Sequence, residues 1–242
     1  MNMLRIECKI FIWKKLSAYG RIEKIMLRGI CMSYTFEEIM QFHPDNEDVY
    51  EEIKKLLIGK KLVPFVGAGL TKFAYYSWPK LIEELSKKLT DEKDIAKVGA
   101  LIKADKYLEA ADKLAYLRGE SNLAHDLANL LSADKHKQNY DKLRKVAISL
   151  LPHLFKELVI TTNFDETLET VYRDAGTETY FDAVLLPGRT RFLNQLRREG
   201  GARVLYKLHG SVIGSRIDEE SFVFTKSNII SVMDSLVHCL GN

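Results

Sequence analysis

Leu158-Val159-Ile160-Thr161-Thr162-Asn163-Phe164-Asp165 is the stretch from which the fold is read. It opens on apolar and β-branched residues without helical spacing, so a strand is expected over Leu158–Thr162. Helical spacing follows at once, predicting a helix from Asp165 to Ala175 that Gly176 stops. The alternation repeats on both sides. Upstream, Leu62–Val66 is another apolar run ending in Gly67; Pro64 removes a ladder donor, which makes this strand short or puts it near a sheet edge. Downstream, a helix over Arg191–Glu199, stopped by Gly200, precedes strands expected at Val204–Leu208 and Ser221–Thr225. A last helix carries Ile230, Met233, Leu236, Val237 and Leu240, with Ser227 as its candidate cap. Strands alternating with helices predict an α/β, Rossmann-like, doubly wound and mostly parallel sheet.

The remaining segments read as helix. Val49, Ile53, Leu56 and Leu57 share one helical face, with Asn46 as the expected N-cap and Gly59 as the stop. Ser77 is placed to cap a helix whose face is Leu81, Ile82, Leu85 and Leu89. Helical patterns continue through Tyr107–Leu117, Leu123–Leu131 and Leu143–Leu151. Residues 91–150 are therefore expected to be an α-helical insert between two sheet strands, with solvated Lys and Asp on its outer faces. Residues 1–31 carry Arg5, Lys9, Lys14, Lys15, Arg21, Lys24 and Arg28 against Glu7 and Glu23 alone. This balance sets off 1–33 as a basic N-terminal appendage, either a short basic surface helix or residues ahead of a true translation start at Met32, and 34–242 as the main domain.

Composition narrows the function classes. Of the 242 residues, 46% are hydrophobic and 29% charged, enough apolar material for one sizeable core. A net charge of +3 gives no field for nucleic acid. Arg189, Arg191, Arg197, Arg198 and Arg203 read as a solvated helix face, so no nucleic-acid partner is expected. Cys8, Cys31 and Cys239 can build neither a disulfide framework nor a four-thiolate zinc site, and no metal is expected. The run Ile10–Trp13 is too short for a signal-peptide core and no stretch has the span of a membrane helix, so a cytoplasmic protein without membrane association is expected.

In an open parallel sheet, ligands bind outside the carboxyl ends of the strands. Three strand ends carry chemistry. Gly67-Ala68-Gly69-Leu70-Thr71 lets the main chain approach a ligand closely, and a helix opening there would aim amide groups at a pyrophosphate. Thr161-Thr162-Asn163-Phe164-Asp165 sets an amide two residues from a carboxylate; these either orient a water or ribose hydroxyl or cap the next helix. Lys207-Leu208-His209-Gly210-Ser211 puts an imidazole directly after a strand, as a proton acceptor or as a structural residue.

Together these motifs resemble the sirtuin family, which has a Gly-Ala-Gly phosphate loop, a Thr-Gln-Asn-x-Asp strand end and a His-Gly strand end. The resemblance spans roughly residues 60–225 around the helical insert. Two departures separate the chain from deacylating sirtuins: it lacks their four-cysteine zinc module, and it has Ala74-Tyr75-Tyr76-Ser77-Trp78-Pro79-Lys80 where they carry Pro-Asp-Phe-Arg. It is more similar to the sirtuin-like domains of bacterial antiviral defence proteins, which share a Trp near the helix after the glycine loop, Thr-Thr-Asn-Phe/Tyr-Asp and Lys-Leu-His-Gly.

That resemblance implies hydrolysis of NAD, the substrate, to nicotinamide and ADP-ribose in anti-phage defence. It implies catalytic roles for Asn163, His209 and Asp165. Cofactor binding falls to Gly67, Ala68, Gly69, Thr71, Trp78, Thr162, Gly210 and Ser211, although Trp78 also reads as a helix-start or core residue. The expected partners are NAD and either a second copy or a sensor protein. A non-catalytic module for NAD or ADP-ribose is the alternative, with NAD-dependent deacylation behind it. Related domains continue into one more strand, so a C-terminal truncation is also expected.

Overall fold

The computed structural model describes residues 35–72, 74–132, 136, 139–143, 146–176, 179–189, 192, 201–213, 216–218 and 221–241. The basic stretch 1–33 and the helix expected over Arg191–Glu199 lie outside the described residues, apart from Phe192. Two compact units are present, one running to Leu62 with Leu240–Asn242, the other Val63–Cys239.

In the first unit, α1 (Phe36–Gln41) begins with a capping box: Thr35 Oγ1 accepts from the Glu38 N–H at 3.2 Å while Glu38 accepts from the Thr35 N–H at 2.7 Å. Then comes α2 (Asn46–Ile58), ended by Gly59 as expected. Asp45, not Asn46, holds the cap position. Asn46 is the first helical residue and donates from Nδ2 to the Ile39 carbonyl at 2.7 Å.

The second unit is built on four parallel strands in the order β1 (Phe65–Val66), β2 (Leu158–Thr161), β4 (Val204–Lys207) and β3 (Ala183–Leu185). The sheet is the parallel α/β arrangement that the alternation predicted. β1 is a two-residue edge strand. Pro64 cannot donate, but its carbonyl still accepts from the Ile160 N–H at 3.0 Å. β2 and β4 are central and buried along their whole length, as a sheet covered on both faces requires.

Between β1 and β2 the described chain is helical: α3 (Trp78–Ser86), α4 (Glu92–Lys103), α5 (Tyr107–Arg118), α6 (Glu120–Leu131), short α7 (Tyr140–Leu143), a 3-10 turn (Ala147–Leu150) and short α8 (Leu151–Leu154). Leu81, Leu85, Val98, Leu114, Leu123 and Leu127 of these helices join Val66, Val159 and Leu205 of the sheet in one core. α9 (Thr167–Asp174) follows β2, and α10 (Lys226–Gly241) follows an antiparallel pair, β5 (Val212–Ile213) and β6 (Arg216–Ile217).

Further expectations change. The helix expected over Leu143–Leu151 is, among the described residues, the last residue of α7, a 3-10 turn and the first residue of α8. Ser221–Thr225 is not a strand; Phe222, Val223 and Phe224 are buried in an irregular segment tied by the Val223 N–H to the His209 carbonyl at 3.1 Å. β3 and the β5–β6 pair are additional, each too short to show a period. Ser227 lies inside α10, whose entry is held instead by Asp112 Oδ1, which accepts from the Lys226 N–H at 2.7 Å. No helix among the described residues is long and apolar enough to cross a membrane.

Candidate functional site

β1, β2 and β4 are neighbours, and their ends are in register: Val66 lies opposite Thr161, and Thr161 opposite Lys207. With adjacent strands about 4.8 Å apart, the residues that follow, Gly67, Thr162 and Leu208, begin side by side. The three motifs, distant in sequence, thus leave the sheet at one end. Hydrogen bonds join them. Thr161 Oγ1 and the Thr162 N–H both donate to the Val66 carbonyl, at 2.8 and 3.2 Å, and the Leu208 N–H donates to the Thr161 carbonyl at 2.8 Å.

Asn163 is 5% exposed and Thr71 is fully buried. Asn163 Nδ2 donates to Thr71 Oγ1 at 3.1 Å, and the Thr71 hydroxyl donates onward to the Ala68 carbonyl at 3.4 Å. The chain fixes which way the amide points, because a threonine hydroxyl already donating to a carbonyl can only accept from Asn163. Asn163 Oδ1 is then buried without a hydrogen-bond partner, and so is Ser211 Oγ. Leaving such groups unpaired costs about 1–3 kcal/mol each, a penalty that a bound polar ligand would remove.

The His209 ring packs 5.7 Å from Phe164 and 6.4 Å from Trp78, and Trp78 itself packs 5.0 Å from Phe224. This aromatic wall leaves the imidazole half-buried. Burial lowers its pKa to about 4, against the opposing pull of a hydrogen bond to the Thr162 main chain. The ring is neutral near pH 7, with one nitrogen engaged by Thr162 and the other able to accept. Trp78 is both the first residue of α3 and part of this wall.

Behind the imidazole, Gly210 has φ +96°, and a Cβ there would sit 2.7 Å from the Ser221 carbonyl oxygen. Only glycine fits. The glycine turn after β1 differs. A Cβ at Gly69 meets nothing within 4 Å, and one at Gly67 meets only Thr162 Oγ1 at 3.7 Å. The fold does not itself demand glycine at either place, and the main chain there is open to close approach. Nor does this turn open a helix, as the sequence suggested. The Leu70 and Thr71 N–H groups fold back on the Gly67 and Ala68 carbonyls at 3.1 and 3.2 Å, and the next helix begins only at Trp78. Any phosphate held here would meet turn amides without a helix dipole.

Asp165 serves its own chain: Oδ1 accepts from the Thr167 N–H at 2.9 Å in an Asx turn, one residue ahead of the α9 cap position, which Glu166 holds without a side-chain bond. Lys207, Glu169, Phe164, Phe222 and Phe224 also surround the strand ends and were missed as site residues. A lysine inside the apolar run Val204–Leu208 was the available signal, since such a position is buried and an ammonium there needs a partner. A separate open cleft of about 590 Å³, lined by Asp112, Tyr116, Glu120, Lys226 and Ile230 among others, includes none of the strand-end residues.

Residues 157–239 match the family model of the SIR2-like domain. The match starts just before β2 and takes in Asn163, Asp165 and His209; the glycine turn precedes it. The SIR2-like family uses NAD, and the match suggests NAD-related activity for this region. No curated protein matches the chain.

Proposed function

We propose that this protein is an NAD hydrolase that releases nicotinamide and ADP-ribose. The observation that supports this best is the meeting, at three adjacent strand ends, of an approachable glycine turn, an oriented amide with an unpaired oxygen and a half-buried, neutral imidazole. Gly67, Ala68, Gly69 and Thr162 cradle the pyrophosphate. Thr71 holds Asn163 so that Oδ1 accepts from a water or ribose hydroxyl, and Ser211 Oγ offers a second polar contact beside Gly210. Asp165 keeps the turn that carries Asn163.

Cationic nicotinamide is already a good leaving group, so positioning and electrostatic fit do most of the work. An imidazole with a pKa near 4 is a weak base. It suffices, because a water oxygen that has bonded to the electron-poor ribose carbon is a strong acid and gives up its proton readily. Before that, His209 orients the water; Trp78 and Phe164 keep other water away. Following the likeness to defence proteins, NAD depletion in an infected cell is the biological outcome, with a second copy or a sensor protein as the regulating partner. The low basicity of His209 also favours a second reading, a non-catalytic module for NAD or ADP-ribose.

Incubating the protein with NAD and quantifying free nicotinamide separates the two. Turnover is expected in the wild type, and His209→Ala and Asn163→Ala each lower it by about 100-fold or more while the melting temperature stays close to wild type. Calorimetric binding of ADP-ribose without nicotinamide release supports the binding module. Full turnover in both variants defeats the assignment.

A further inference from the structure

β4 ends on a charged residue in a fully buried position. Lys207 is 0% exposed, between Tyr206 and Leu208, which are equally buried. An ammonium taken out of water needs compensating acceptors. Lys207 Nζ has two: the Asp165 carbonyl oxygen at 2.6 Å and Glu169 Oε1 at 2.9 Å. The first lies in the connection from β2 into α9, the second in the first turn of α9 itself. Asp165 lies just before the helical ladder, where the Glu166 carbonyl already accepts from the Thr170 N–H at 3.0 Å. Lys207 therefore supplies a donor to a carbonyl the helix does not use. Glu169 Oε2 is buried without a partner, and burial pushes this carboxyl up while Lys207 opposes the shift.

The placement is what gives this contact a consequence. Lys207 stands two residues before His209 and holds a carbonyl two residues after Asn163. One ammonium thus ties together the two strand ends that carry the proposed machinery. We propose that Lys207 is a positioning residue whose ammonium, shared between the Asp165 main chain and Glu169, fixes the Thr162–Glu166 turn against the end of β4 and so sets Asn163 relative to His209. Its effect on turnover rests on the NAD-hydrolysis reading; its effect on the turn does not.

Lys207→Met tests this, because methionine fills similar space and cannot donate. Amide hydrogen exchange over residues 162–170 is followed together with nicotinamide release. The expected result is a folded variant, by circular dichroism, in which this segment exchanges about tenfold faster while the helices α4 to α6 are unchanged. Its kcat falls by about tenfold or more with KM within about threefold, since a misplaced group loses transition-state contacts first. Glu169→Gln, which keeps an acceptor for Lys207, shows a smaller change of the same kind. Wild-type exchange in folded Lys207→Met, or a raised KM with unchanged kcat, overturns the proposal. If Lys207→Met does not fold, Glu169→Ala carries the test, and unchanged exchange over 162–170 overturns it equally. A wild type that releases no nicotinamide sinks the hydrolase reading, while the exchange result still decides the role of Lys207.

Discussion

The strand ends and the helices between β1 and β2 share one core but treat polar groups in opposite ways. In α4 to α6 the buried positions are Val98, Ala110, Ala111, Leu114, Leu123, Leu127 and their neighbours, and lysines and acids pair on the outside, as Lys97 does with Asp94 and Lys106 with Glu109. Among the described residues, Asp126 is the one buried charge of these three helices, and Arg118 meets it at 2.6 Å. At the strand ends Thr71, Thr161, Asn163, Asp165, Thr167, Lys207 and Ser211 are all buried, and Asn163 Oδ1, Thr167 Oγ1 and Ser211 Oγ lack partners. The helices are organised for stability. The strand ends retain unsatisfied polarity, which a fold tolerates where a ligand makes use of it.

The largest expected effect breaks the helical side of this contrast. Leu127 is fully buried in α6, and Leu127→Ala should cost about 2–5 kcal/mol, from lost transfer energy and the cavity left behind. Urea denaturation measures it, and KM for NAD in the still-folded fraction should not move. A KM change would mean that the helices shape the site directly. The next effect belongs to the strand-end side and comes from the main chain. Gly210→Ala forces a side chain into a left-handed conformation and onto the Ser221 carbonyl, at a cost of about 2–3 kcal/mol. Unlike Leu127→Ala, it should also displace His209, so nicotinamide release falls beyond the loss of folded protein. Equal losses in stability and turnover would erase the distinction between the regions.

How far each region could be read from sequence follows from the same contrast. Apolar periodicity located α5 and α6 to within a few residues, and β2 and β4 to within one, because burial there is continuous. It missed β3 and the β5–β6 pair, where two or three residues cannot display a period. It also turned Phe222–Phe224 into a strand, since a buried irregular segment has the same composition. At the site, glycine, amide and imidazole were legible by residue type and by their place after strands. The lowered pKa of His209 was not, because it depends on burial against Trp78 and Phe164, distant in sequence, and neither was the Thr71–Asn163 bond across two strand ends.

The smallest predicted effect is also the one that most sharpens the comparison. Burial holds the folded-state pKa of His209 near 4, below its ordinary value of 6.5. Between these values the unfolded chain binds a proton that the folded chain refuses, so folding stability rises with pH across this window. The contribution of neutral His209 is complete above pH 6.5 and is lost as pH falls towards 4. Its size is of the order of 2 kcal/mol. Urea midpoints taken from pH 4.5 to 7 should show this slope in the wild type, and a flatter one in His209→Phe, which fills the aromatic wall without an ionisable group. A wild-type slope that persists in His209→Phe would place the titration elsewhere and leave the imidazole exposed to water. The strand ends would then have lost the dry environment that distinguishes them from any polar surface.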